Sequence, residues 1–305
     1  ATNALVERSY PPAAMIATEG FRDVIEIGRQ RRKDLFDLHQ QRPEPIIPRR
    51  RRFTVPGRLG ADGSEIAPLG EAGIRELARR LKAMEVTSIA ICFLNAYSNP
   101  AHEKRARDIL HEEYPDCFVA LSSETVPKLR EHGRFMTTVV RAVLLPVMSS
   151  YYSRLNQGLL DDGFTGTLLV LKSNGGMMGV ELARERPEEL VESGPAGGVA
   201  YARYLSEHTE FSKIIHTDMG GTTFDASIVE DGHGLITHDY DLEWEMPIII
   251  PMLDIRSVGA GGGSVAWIDA GGSLRVGPQS AGADPGPACY QRGADAATIT
   301  DANLV

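Results

Sequence analysis

Residues 217–227 read Thr-Asp-Met-Gly-Gly-Thr-Thr-Phe-Asp-Ala-Ser. Asp218 and Asp225 bracket two adjacent glycines, Gly220 and Gly221, and two threonines, Thr222 and Thr223. β-Branched runs lead in (SKIIHTD) and lead out (ASIVED). The pattern predicts an antiparallel hairpin over 213–231 whose turn is Gly220–Thr223. Such a turn suits an anion. Glycines let backbone N–H groups approach phosphate oxygens, and the threonines add hydroxyl donors. The two aspartates repel a bare phosphate, so they are expected to face a Mg2+ ion through its water shell. A plain tight turn of small residues is the alternative reading. The motif is not a P-loop, because no G-x-x-x-x-G-K-[ST] occurs in the chain.

Other segments carry chemistry less specifically. Ser173, Asn174, Gly175 and Gly176 follow a strand-like run, the place where open α/β sheets hold ligands; a tight turn is an equal reading. GAGGGS (259–264), with Gly261 and Gly262 at its centre, either admits a ligand close to the backbone or serves as a hinge or bulge. In SAGADPGPACY (280–290), Asp284 is a candidate polar contact and Cys289 reads as packing. Asp301 and Asn303 read as helix-capping residues. His216 adjoins Thr217 and Asp218, close enough to approach the site; the alternative is a strand residue that is packed or faces solvent. His233 and His238 have no carboxylate pattern and no H-E-x-x-H occurs, so no protein-ligated metal is expected.

The elements that must position these residues alternate. Strands are expected at 13–18, 51–59, 88–94, 117–123 and 167–173. Helices are expected at 20–30, 69–84, 99–115 (with Asn99 as N-cap and Pro100 in the first turn), and 194–207. Residues 128–159 read as one or two helices, broken or bent near Pro146. Alternation of this kind implies an α/β fold with a mostly parallel or mixed sheet. From Lys213 onward, short strand-like runs follow one another with glycine turns. A chain of 305 residues is expected to form two domains. The boundary falls near 210, giving a first α/β domain at 1–210 and the start of a second at 211–305. The ends, ATNALVER and ITDANLV, read as cut from a longer polypeptide.

Composition excludes several classes. The net charge of −9 disfavours a nucleic-acid or anionic-membrane partner. The basic run Arg49–Arg52 therefore reads as a solvated or ion-paired face. No apolar run approaches the ~20 residues a bilayer span needs, and no signal peptide is visible. Cys92, Cys117 and Cys289 are far apart and unpatterned, which fits reduced thiols in a cytoplasmic protein.

The order of small-residue helix (ESGPAGGVAYARY, 192–204), strand, DMGGTTFDAS and strand resembles a part of the actin, sugar-kinase and heat-shock chaperone ATPase superfamily. There, two ribonuclease-H-like domains clamp a nucleotide. The resemblance implies ATP and Mg2+ as cofactors. It implies that Gly220, Gly221, Thr222 and Thr223 hold phosphates, that Asp218 orients metal-bound water and that Asp225 supports the same hydration shell. More narrowly, ATEGFRDVIEIGRQ, DLFDL, SNGGMMG, ESGPAGGV, DMGGTT, SVGAGGGSVAWIDAGGSLRVGPQSAGADPGPACY and TDANL together resemble the hydantoinase/oxoprolinase A family over the whole chain. That implies ATP-dependent hydrolysis of a cyclic amide such as a hydantoin or 5-oxoproline, by phosphoryl activation of its carbonyl. It also implies a B-type partner subunit or domain, and hence a hetero-oligomer. An acetone- or acetophenone-carboxylase subunit is the alternative, and a non-enzymatic ATP-driven switch the second. The family's usual opening hairpin, of D-x-G-G-T-F-T-D type, is absent here. The chain is therefore expected to carry half of a phosphate clamp and to be inactive alone.

Overall fold

The computed structural model describes residues Ala1–Val305. Contacts divide the chain into two compact units that interleave along the sequence. Unit 1 comprises Ala1–Lys172, Gly176–Glu192 and His238–Pro251; unit 2 comprises Ser173–Gly175, Ser193–Thr237 and Met252–Val305.

Unit 1 is built on a parallel sheet. Its strands are β1 (Ala13–Thr18), β2 (Arg52–Val55), β3 (Ser88–Cys92) and β4 (Phe118–Leu121), in the order β2-β1-β3-β4. Every residue of β1 and β3 is buried, as expected for strands covered on both faces. Helix α1 (Glu71–Ala83) buries Ile74, Leu77, Ala78 and Leu81, one stripe at helical period. Helix α2 (Ala101–Glu113) buries Ala106, Ile109 and Leu110 in the same cluster. Asn99 Oδ1 accepts a hydrogen bond from the Ala101 N–H at 3.0 Å, so the expected capping residue does serve the first turn.

Two expected helices differ from the sequence reading. The helix expected at 20–30 is only Val24–Ile27. Gly28 turns the chain away at φ +61°, and the Arg29 N–H donates to the Glu245 carboxylate at 2.9 Å. A carboxylate far along the chain captures the segment before the helix can propagate. Conversely, residues expected to break near Pro146 form a single helix, α3 (Glu131–Asp161). Proline removes one intrahelical bond, at a cost of about 3 kcal/mol in an isolated helix. Here Val139, Val140, Val143 and Leu144 are all fully buried, and that burial outweighs the lost bond.

Besides a short antiparallel pair of Arg58–Leu59 with Glu65–Ala67, unit 1 has two further small antiparallel pairs. β5 (Leu169–Leu171) pairs with β6 (Met177–Gly179). Before the second of these pairs come the hairpin strands of unit 2, β7 (Lys213–Met219) and β8 (Phe224–Glu230). The second pair is β9 (Tyr240–Glu243) with β10 (Met246–Ile248). Arg8–Glu243, Arg29–Asp239 and Arg31–Asp241 ion pairs tie this second pair into unit 1, at 2.8, 2.6 and 2.6 Å.

The basic run is ion-paired in part. Arg49 holds Asp23 through two nitrogens, each at 3.0 Å, and Arg52 holds Glu26 at 2.7 Å.

In unit 2, β8 is central. It pairs antiparallel with β7 along its length, with His233–Gly234 at one end and with β11 (Arg256–Val258) at the other. Helix α4 (Ser193–His208) packs on β7 and β8, within one residue of the expected 194–207 at each end. β12 (Ser264–Ile268) and β13 (Leu274–Ser280) form a further hairpin, and helix α5 (Ile299–Leu304) follows. No helix of the chain is long and apolar enough to cross a membrane.

Candidate functional site

The β7–β8 hairpin has the expected register. Met219 faces Phe224, so the turn is Gly220–Thr223, closed by a bond from Gly220 N–H to the Thr223 carbonyl at 2.9 Å. The N–H groups of Gly221, Thr222 and Thr223 donate to no carbonyl or side chain of the protein. A Cβ placed on Gly221 would meet nothing within 4 Å. The exposed turn thus holds three backbone donors with no protein acceptor, which an anion-binding concavity requires.

Asp218 and Asp225 stand directly opposite each other in the ladder, and directly opposed residues share one face of a sheet. Asp225 is 9% exposed, whereas Asp218 is exposed. Like charges so placed are mutually unfavourable. An oxygen-liganded cation would relieve that repulsion, so the pair fits Mg2+. No three His, Cys, Asp or Glu side chains form a metal-ligand set in the chain, so water would complete such a cation's coordination.

Backbone approach accounts for the GAGGGS segment. The Gly261 N–H donates to the Thr222 carbonyl at 3.1 Å, Gly262 to Gly220 at 2.9 Å and Gly263 to Gly221 at 2.6 Å. A Cβ on Gly261 would lie 2.5 Å from the Thr222 nitrogen, and one on Gly263 would lie 3.0 Å from the Gly221 oxygen. The three glycines let one loop lie flat against the hairpin turn. They occupy its carbonyls and leave the N–H groups of Gly221, Thr222 and Thr223 without a protein acceptor.

A cleft of about 580 Å³ opens beside this pair of loops. Gly220, Gly221, Thr222 and Gly262 line it, together with Tyr290 and Asn303. Thr300 bonds the Gly262 carbonyl through both its N–H and its hydroxyl, at 2.9 and 2.8 Å. Asp301 caps α5 in a reciprocal box with Thr298 and also accepts from the Ala288 and Cys289 N–H groups. Those donors, Cys289 first, hold its carboxyl well below the usual carboxylate range. The same carboxylate pushes the Cys289 thiol upward, against any role as a thiolate nucleophile. Asn303 lines the cleft in place of the capping role expected for it. The capping role expected for Asp301 is met, in the acidic variant of the capping-box pattern Thr298-x-x-Asp301.

Other sequence candidates lie elsewhere. Ser173, Asn174 and Gly175 do not line this cleft. They form the turn between β5 and β6, not the mouth of a parallel sheet, and the Ser173 carbonyl accepts from the Leu253 N–H at 2.9 Å. His216 is packed: a Cβ on Gly198 of α4 would come within 2.1 Å of its Nε2.

Known proteins share the sequence pattern and the fold. Residues 134–305 match the hydantoinase/oxoprolinase family model, and residues 1–114 match its N-terminal region. An uncharacterized protein of Methanocaldococcus jannaschii is 43% identical over 306 residues, covering 97% of this chain and 45% of the relative. The caprolactamase subunit alpha of Pseudomonas jessenii is 36% identical over 306 residues, covering 100% and 44%. The crystal structure of that ATP-dependent caprolactamase superposes with a TM-score of 0.87 over 99% of this chain and 44% of its own. A nucleotide-free acetone carboxylase superposes with a TM-score of 0.78 at 28% identity, covering 99% and 44%. The chain thus spans less than half the length of these relatives. The α/β fold is of the actin-like ATPase type.

Proposed function

Because the chain belongs to the hydantoinase/oxoprolinase family, we propose that it serves ATP-dependent opening of a cyclic amide, such as a hydantoin or 5-oxoproline. The observation that carries this reading is the set of N–H donors at Gly221–Thr223 without a protein acceptor, beside two opposed carboxylates. An unstrained amide carbonyl is a poor electrophile. Transfer of the γ-phosphoryl to its oxygen makes a good leaving group, after which water opens the ring. Phosphoryl transfer needs chiefly positioning and charge neutralisation. Gly220, Gly221, Thr222 and Thr223 hold phosphate oxygens. Asp218 orients water on Mg2+, with Asp225 supporting the same shell. The cation neutralises phosphate charge when bound. Gly261 and Gly262 hold the turn in place, and Ser173, Asn174 and Gly175 remain candidates for contact with substrate or nucleotide. The reading includes a B-type partner subunit or domain that supplies the remaining chemistry, in the cytoplasm.

The likeness to acetone carboxylase favours one second reading, in which the same clamp phosphorylates bicarbonate and a ketone enolate. The deciding experiment assays the full-length protein with its partner for ADP release. Hydantoins, 5-oxoproline and lactams are compared with ketones plus bicarbonate. Release driven by a cyclic amide supports the first reading, and release driven only by ketone with bicarbonate supports the second. Within either, Asp218→Asn should retain nucleotide binding and lower turnover by roughly two to four orders of magnitude.

A further inference from the structure

We infer that Ser257 is a positioning residue for the carboxylate pair at the foot of the hairpin turn; this rests on the phosphate-site reading above. Ser257 lies on β11, directly opposite Asp225, which in turn lies directly opposite Asp218. Three adjacent strands therefore place Asp218, Asp225 and Ser257 in one row on one face of the sheet. The Ser257 hydroxyl donates to Asp225 Oδ1 at 2.5 Å, within the range for an O–H donor to a carboxylate.

The bond has two consequences. The donated hydrogen stabilises the negative charge of Asp225 where Asp218 opposes it. It also fixes the rotamer, engaging Oδ1 and leaving Oδ2 as the oxygen that accepts from water. Ser257 itself is exposed and contributes nothing to the apolar core. Its hydroxyl thus acts on the orientation of Asp225 and not on packing. A water shell held by Asp218 and Asp225 needs both carboxylates in fixed positions, because hydrogen bonds weaken steeply with misalignment.

The test compares Ser257→Ala, Ser257→Thr and Asp225→Asn in the full-length protein. Mn2+ binding with a non-hydrolysable ATP analogue is read by electron paramagnetic resonance, and ATP turnover is measured in parallel. Ser257→Ala should weaken Mn2+ binding and lower kcat by about tenfold, the scale of one hydrogen bond to a charged group. KM for ATP should stay within about twofold, because the phosphate donors are untouched. Ser257→Thr keeps the hydroxyl and should restore both values, with all variants melting together. If Ser257→Ala matches wild type in Mn2+ binding and kcat while Asp225→Asn does not, this inference is wrong and the site reading stands. If Thr fails to rescue, the hydroxyl is not the active feature. If Asp225→Asn also matches wild type, the site reading itself fails.

Discussion

Gly261 lies flat against the peptide of Thr222. A methyl group on Gly261 would come within 2.5 Å of the Thr222 nitrogen and carbonyl carbon and 2.6 Å of the Thr223 nitrogen. These are backbone atoms, so no side-chain rotation relieves the clash. Gly261→Ala should separate the two loops and break the bonds from Gly261, Gly262 and Gly263 to the turn. The expected loss is about 1–3 kcal/mol of stability, typical of overpacking, together with weaker nucleotide binding. Thermal unfolding and calorimetry measure both. A variant with unchanged melting and affinity would show that the bracing is dispensable.

The second close approach gives a cleaner energetic test. Gly198 lets α4 lie on His216, where a Cβ would meet the imidazole Nε2 and Cε1 at 2.1 and 2.5 Å. Gly198→Ala should therefore destabilise unit 2, although alanine is the better helix former by roughly 1 kcal/mol. Replacing His216 by alanine should remove the clash, so the double variant should be more stable than Gly198→Ala. A double-mutant cycle with no coupling would contradict the contact.

A pH dependence follows from Glu188. Its residue is 2% exposed, its Oε2 has no hydrogen-bond partner, and Arg141 stands 3.7 Å from Oε1. Burial outweighs that arginine and pushes the carboxyl up to about 7. The folded state therefore binds a proton that the unfolded state releases near the ordinary value of 4.5. Stability from this group is complete below the unfolded value and falls as pH rises through about 7. Glu188→Gln should flatten that decline, melting above wild type at pH 8 by more than at pH 5. Parallel curves for the two proteins would refute the assignment.

These contacts show what was legible in the sequence. The hairpin over 213–231 was legible because β-branched runs flank two glycines, a local pattern that fixes the turn. Helices α1 and α2 were legible because apolar positions recur at helical period. The short helix at Val24–Ile27 was not, because Glu245, which captures Arg29, lies 216 residues away. Pro146 reads locally as a break, and only burial on both sides of it keeps α3 continuous. The glycines at 261–263 announced a close approach but not its partner, which is the turn's own backbone. Ser257 opens the family stretch SVGAGGGS, but that stretch alone assigns it no partner. Its place beside Asp225 comes from strand register, which pairs residues 32 positions apart.

The central claim is that the Gly220–Thr223 turn holds the phosphates, and Gly221→Val tests it most directly. No protein atom lies within 4 Å of a Cβ at that position, so the variant should fold and melt as wild type does. Its side chain would fill the open space at the turn, which a phosphate bound there must occupy. Calorimetric titration of the full-length variant with Mg-ATP should show binding weakened by at least about 100-fold, the scale of losing several charge-assisted hydrogen bonds. Wild-type affinity in a normally folded Gly221→Val protein would contradict the account.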